Sequence, residues 1–281
     1  MKVVYCEQMV VDAQSFSPSA RKPREVMASW RRRFPLLDMV EPQPASVDEL
    51  CLAHDPDYVR GVLSLRLANG FGNHLAEVAQ SLPWTSGAML GAARLALNEG
   101  CAVAPVSGFH HAGYEQGGGF CTFNGLIVTA RVLRGEGRVR RVGILDFDQH
   151  YGNGTTDIIR ELGLYWIEHY SAAADWDRPS QAEEFLGEIP KIMMQFERCD
   201  LLLYQAGADP HVNDPLGGWL TTAQLRERDR LVFASCKKLG LPVAWNLAGG
   251  YQTNLRKVLD IHDNTMLECL TAFAEGVDEI D

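Results

Sequence analysis

Residues 145–154, Leu145-Asp146-Phe147-Asp148-Gln149-His150-Tyr151-Gly152-Asn153-Gly154, set two carboxylates and an imidazole at alternate positions. The apolar lead-in Val142-Gly143-Ile144-Leu145 reads as a short buried strand. In an extended chain Asp146, Asp148 and His150 project the same way, because side chains alternate with period two. Oxygen and nitrogen donors at this spacing suit zinc, which for catalysis takes three protein ligands and keeps an open position. Gly152 and Gly154 permit a sharp turn behind them. Taken alone, the pattern also describes charged residues gathered at a strand end.

Three further segments carry residue types that do chemistry. His110 and His111 lie in Ser107-Gly108-Phe109-His110-His111-Ala112-Gly113, shortly before Gly117-Gly118-Gly119-Phe120-Cys121. Imidazoles exchange protons near neutral pH, so adjacent histidines can serve as general base and general acid. Asp209, after Ala206-Gly207-Ala208, could supply a third metal ligand, or could be a turn residue before Pro210. Asp214-Pro215-Leu216-Gly217-Gly218 follows it. Tyr251, after Gly249-Gly250, can aim a phenolic hydroxyl at a carbonyl and stabilise a developing oxyanion.

Each segment follows a short apolar run that reads as a strand: residues 102–105, 141–145, 201–205 and 243–247, with further strands at 3–6 and 164–167. Helical patterns separate them at 24–34, from Thr85 as cap to 97, and at 126–133, 156–162, 182–196, 222–239 and 254–274. Ser46-Val47-Asp48-Glu49 is a capping box, and Asp55-Pro56-Asp57 opens a helix to about residue 68. Residues 69–83 read as a long irregular loop. Alternating strands and helices predict one α/β domain over residues 1–281, with a mostly parallel sheet covered on both faces. In such sheets ligands bind beyond the carboxyl ends of the strands, where all four segments fall.

Composition narrows the classes. A formal net charge of -10 argues against a nucleic-acid surface, despite the local run Arg31-Arg32-Arg33. The seven cysteines are scattered without a Cys-x-x-Cys pair, which reads as reduced thiols in a reducing compartment. No run reaches the roughly 18 apolar residues of a membrane span, and the apolar start is too short for a secretion signal. The expectation is a cytoplasmic protein that meets neither nucleic acid nor membrane.

In their order, His110-His111 with Gly119-Phe120-Cys121 and Asn124, Asp146-Phe147-Asp148-Gln149-His150 with Gly152-Asn153-Gly154, Asp209 with Asp214-Pro215-Leu216-Gly217-Gly218, and Gly249-Gly250-Tyr251 resemble the histone deacetylase family. That family includes bacterial acetylpolyamine amidohydrolases, and some motifs here are similar to its class IV branch. The resemblance implies the three-layer α/β/α arginase-deacetylase fold. It implies catalytic Zn2+ on Asp148, His150 and Asp209, with proton transfer by His110 and His111, held by Asp146 and Asn153 respectively. Tyr251 would polarise the scissile carbonyl, and Gly119 and Phe120 would line the substrate channel. The implied reaction is hydrolysis of an acylated amine, whether acetyl-lysine, an acetylpolyamine or another small acylated amine.

The sequence departs from the family pattern in three places. A structural K+ near Asp146 would take a hydroxyl from the next strand, which is not found near Ile167-Glu168-His169. The segment after His169 offers only Trp176 as a second aromatic wall; its shortness could leave a cleft that a second subunit covers, as in a homo-oligomer. Residues 69–83 contain no Asp to grip a peptide backbone. Two alternatives stay open: an arginase-like dimanganese ureohydrolase, and a non-catalytic acyl-ligand binder or assembly subunit on the same fold.

Overall fold

All five residues of strand β4 (Val142–Asp146) are buried, the signature of a strand covered on both faces. In the computed structural model, which describes residues 1–273, β4 lies in a seven-stranded parallel sheet. Its partners are β1 (Lys2–Val4), β2 (Asp38–Val40), β3 (Cys101–Val103), β5 (Ile167–Ser171), β6 (Leu201–Gln205) and β7 (Val243–Asn246), in the order β2-β1-β3-β7-β6-β4-β5. The helices are α1 (Lys22–Arg33), α2 (Val47–Leu50), α3 (Pro56–Leu63), α4 (Ala76–Glu99), α5 (Gly125–Gly135), α6 (Asn153–Glu161), α7 (Ala182–Met194), α8 (Thr222–Leu239) and α9 (Leu255–Phe273). On one side α8 packs between α7 and α9, with α1 against α9; on the other, α4 packs on α5 and across β1, β3 and β7. This is the three-layer α/β/α architecture expected. Ala274, expected to end the last helix, lies outside the described residues, as do residues 275–281 of the expected domain.

The sheet order positions the site. β3, β7, β6 and β4 are consecutive neighbours, and their registers are level: Asp146 pairs with Gln205, and Gln205 with Asn246. Four loops far apart in sequence therefore leave the sheet side by side.

Local differences from expectation have physical causes. α4 begins at Ala76 and runs through Pro83, so the irregular segment stops at residue 75 and Thr85 is interior rather than a cap. Pro83 brings no N–H, but its carbonyl accepts from the Ala45 N–H at 2.9 Å, and the buried face carrying Val78, Leu82 and Met89 continues across it. Packing overrides the breaker. α3 ends at Leu63, five residues early, because Leu65 turns to φ +63° and the Arg66 and Leu67 N–H groups both donate to the Gly61 carbonyl. β5 forms at Ile167–Ser171 rather than 164–167: it is an edge strand, so its half-polar sequence pairs with β4 while the apolar residues before it form the approach. The exposed edge strand β2, which has no counterpart among the strands expected from the sequence, was hidden for the same reason.

Candidate functional site

β4 ends at Asp146, and extended geometry ends with it. The Asp148 N–H donates to Asp146 Oδ1 at 3.2 Å, and the His150 N–H to Asp148 Oδ1 at 2.9 Å, so the chain turns at each carboxylate. This corrects the expected convergence of Asp146, Asp148 and His150. Asp146 Oδ2 lies 2.7 Å from His110 Nδ1 instead, while Asp148 and His150 meet Asp209 from the end of β6, with one ligand atom of each within 4.8 Å of the others. Among the described residues this is the one group of three potential ligands found.

The donor set fits a cation. His150 Nε2 is 3.2 Å from the Leu216 carbonyl, which can only accept, so the ring proton sits on Nε2. In the neutral ring, the form that ligates a metal, the Nδ1 lone pair would face Asp148 Oδ1 and Asp209 Oδ2, each at 3.2 Å. In that form three electron-rich atoms stand face to face, and Asp209 Oδ2 has no partner other than the His150 ring. The electrostatics of the cluster carry the same demand for positive charge. Bonding to Asp148 and Asp209 raises the His150 imidazole to about 11, while burial and the charge of Asp148 push the Asp209 carboxyl up to about 7. A Cβ at Gly249 would strike Asp209 and come within 2.8 Å of Asp148 Oδ2, so only glycine leaves this space open. The Gly249 N–H also donates to Asp148 Oδ2 at 2.8 Å.

The two histidine rings lie 4.0 Å apart, tilted by 48°, but sit in different electrostatic surroundings. Burial pulls the His110 imidazole down, but the Asp146 and Asp148 charges more than offset this and raise it to about 9. His111 Nδ1 bonds to Asn153 Oδ1 at 2.6 Å, a neutral acceptor, and burial and the nearby His110 hold its pKa below the ordinary value. His110 is therefore cationic at neutral pH and His111 is a neutral ring with a free Nε2. The loop carrying them is fixed from behind. Asn124 Nδ2 donates to the Ala112 carbonyl and the Thr155 hydroxyl, and buried His54 bridges the Gly113 carbonyl and the Asn124 N–H.

Gly119, at φ +53°, passes so close to His111 that a Cβ would overlap the ring. Phe120 follows and packs against Tyr251 at 5.6 Å. Tyr251 is held by its N–H to Asp214 Oδ2 at 2.7 Å; burial, with the charges of Asp209 and Asp148, keeps its hydroxyl protonated well above its ordinary pKa.

Two expectations about the surroundings are corrected. Trp176 is no channel wall: its ring packs on Phe185 and its indole N–H donates to Tyr170. The hydroxyl sought near Ile167-Glu168-His169 stands at Ser171, because β5 begins later than expected; Ser171 pairs with Asp146 and its Oγ accepts from the Gly152 N–H at 3.2 Å.

Sequence reading missed two buried cations. Lys22 Nζ donates to the Ala248 and Gly249 carbonyls at 2.7 and 3.1 Å, tying α1 to the tyrosine loop. Nothing local marks it, since it stands in a polar stretch before Pro23. Arg228 Nη1 donates to the Phe147 and Gly207 carbonyls at 3.1 and 2.8 Å, gripping both ligand-bearing loops, and its Nε bonds Asp229. A signal was present here: Leu225, Arg228, Asp229, Val232, Phe233 and Cys236 share the i, i+3, i+4, i+7 stripe that α8 buries. Arg228→Met should lower stability by about 3 kcal/mol or more, because it strands a buried carboxylate and two carbonyls. Urea unfolding measures this, and a loss below about 1 kcal/mol would contradict the clamp.

Comparison with known proteins bears on the fold and the family. The family model described as histone deacetylase domain matches residues 18–164 and 161–266. An uncharacterized protein of Picosynechococcus sp. is 29% identical over 79% of this chain and 81% of its own length. Histone deacetylase 2 of Arabidopsis thaliana is 27% identical over 79% of this chain; the match spans 65% of that longer protein. The crystal structure of the HDA15 HD domain superposes with a TM-score of 0.79 at 21% identity, covering 98% of this chain and 88% of that one. With a family model spanning most of its length, the chain belongs to the histone deacetylase domain family.

Proposed function

We propose that the protein is a zinc-dependent amidohydrolase that removes an acetyl or other acyl group from an acylated amine. Family membership supports a deacetylase activity. The reading rests further on the uncompensated charge of the Asp148, His150 and Asp209 cluster, set beside one cationic and one neutral histidine. Asp148, His150 and Asp209 would hold the zinc, which when bound supplies Lewis acidity for an acyl carbonyl and for a water molecule. His111, with Nε2 free, takes a proton from the attacking water and passes it to the leaving nitrogen as the carbon–nitrogen bond breaks. His110, kept charged by Asp146, stabilises negative charge on the acyl oxygen, towards which Tyr251 donates its hydroxyl. The products are a carboxylate and a free amine. A dimanganese site is disfavoured, since the nearby Asp146 carboxylate is engaged by His110 Nδ1 at 2.7 Å.

The test measures metal content and hydrolysis together, on acetyl-lysine peptides, acetylpolyamines and longer acyl-lysines. Turnover of one class that disappears on chelation and returns with zinc supports the proposal. Stoichiometric zinc without turnover of any class favours the non-catalytic reading.

Asn153 gives a pH prediction. Asp at this position would favour the protonated His111, so the neutral base would form only at higher pH. Asn153→Asp should move the acidic limb of kcat/KM upward by about one pH unit. An unmoved limb would remove His111 from the role of base.

A further inference from the structure

Three phenylalanines from three segments meet at the mouth of the site. Phe120 packs inward on Tyr251; outward it meets Phe16 edge-to-face at 5.3 Å and Phe71 at 5.8 Å. Phe16 is 72% exposed. A lone exposed apolar ring needs no explanation, but this one is held out by a braced loop. On one side the buried Ala13 gives its carbonyl to Asn73 Nδ2 at 2.9 Å; on the other, the buried Ser17 hydroxyl bonds the Ser19 hydroxyl at 2.9 Å, and Ser19 reaches Tyr251. Phe71 is set in the same way, since the Phe120 N–H donates to the Gly70 carbonyl at 3.0 Å and the Gly70 N–H to Thr122 Oγ1 at 2.9 Å. Trp176, the one aromatic offered by the segment after His169, packs on Phe185 instead. The aromatic surface is therefore one-sided and rises from Tyr251 through Phe120 to Phe16.

We infer that Phe16, supported by Phe71, is a specificity residue: it extends the Phe120 wall into an apolar shelf for the aliphatic chain on the amine side of the substrate. This rests on the hydrolase reading above. Asp148, Asp209 and Gly249 are buried at the inner end of the site, so the amine-side chain of a substrate whose carbonyl meets Tyr251 is taken to run away from them, towards solvent. Its methylenes then lie along Phe120 and reach Phe16 last. Phe16 takes no part in bond breaking and acts on KM.

The test uses N-acetylalkylamines with chains of increasing length, from ethyl to octyl. Each methylene that becomes fully buried lowers KM by up to about three- to four-fold. In Phe16→Ala the outer methylenes lose this gain: KM for the octyl compound rises about ten-fold, kcat stays within about two-fold, and the ethyl compound is unaffected. Phe16→Leu restores most of the loss. Leu36→Ala, which removes a 92% exposed side chain, changes nothing. Chain-length dependence that survives in Phe16→Ala overturns the shelf. A readout independent of turnover is n-octylamine binding, followed by ligand-observed NMR with and without zinc. If octylamine binding depends on Phe16 while no acetylamine is hydrolysed, the shelf stands and the hydrolase reading fails. If hydrolysis proceeds and neither KM nor octylamine binding responds to Phe16, the reverse holds.

Discussion

Asp209→Asn should abolish zinc binding and turnover while making the metal-free protein more resistant to heat. The two effects have opposite signs because they come from the same charge. Burial and Asp148 push the Asp209 carboxyl to about 7, from an ordinary 3.8. An acid whose pKa is higher in the folded state destabilises that state once pH passes the unfolded value, and the penalty is complete above the folded value. At pH 8 the metal-free wild-type protein carries all of it, offset by the His150 charge that Asp209 helps to hold, a share that Asp148 keeps in the variant. Asparagine keeps an acceptor for the Gln149 N–H, which lies 3.2 Å from Asp209 Oδ1, and removes the charge. Zinc affinity should fall on the order of 10³-fold, one ligand's share of the about 10–16 kcal/mol typical of structural zinc sites. Melting curves at pH 8 with and without zinc, together with metal analysis, separate these effects. Zinc should raise the wild-type Tm, by about 2.7 kcal/mol of stabilisation at 100 times Kd, and leave the variant unmoved. Stoichiometric zinc in the variant would mean that Asp209 is not a ligand.

Tyr251→Phe should leave zinc bound and the fold intact, yet lower kcat by about 10²- to 10³-fold, the value of one oxyanion donor at about 3 kcal/mol. Phenylalanine keeps the ring that packs against Phe120, and the backbone N–H still reaches Asp214, so the loop has no reason to move. Only the hydroxyl is lost. Because that donor acts mainly as charge develops on the acyl oxygen, kcat and kcat/KM should fall together with little change in KM. A variant with wild-type kcat and full zinc would remove the hydroxyl from the mechanism. A fall confined to KM would make Tyr251 a substrate-binding residue.

Much of the site was legible in the sequence for a definable reason. His110-His111, Asp148, His150, Asp209 and Tyr251 each follow a short apolar run directly, and in a parallel sheet that position is close to the ligand face whatever the strand order. Individual boundaries were less legible where burial and local propensity disagree. Pro83 reads as a helix breaker until the buried face on either side of it is seen. The edge strands β2 and β5 lack the apolar run that marked the central strands, because one side of each has no neighbour to pack against.

The sequence by itself determined the chemistry available: the alternation of element types, and acid, imidazole and phenol groups at strand ends next to glycines. Tertiary structure alone decided which groups meet. Asp146 and Asp148 are two residues apart, yet one turns to His110 and the other to His150 and Asp209, because the strand stops between them. Phe16, Lys22 and Arg228 reached the site from segments 90 or more residues away from the groups they contact there or, for Arg228, about 80 and 20. Burial of the fully enclosed Lys22 and Arg228 depends on carbonyls that face them only after the four loops stand side by side. No local pattern encodes such a meeting, since it is set by strand order and register, which many separate contacts determine together.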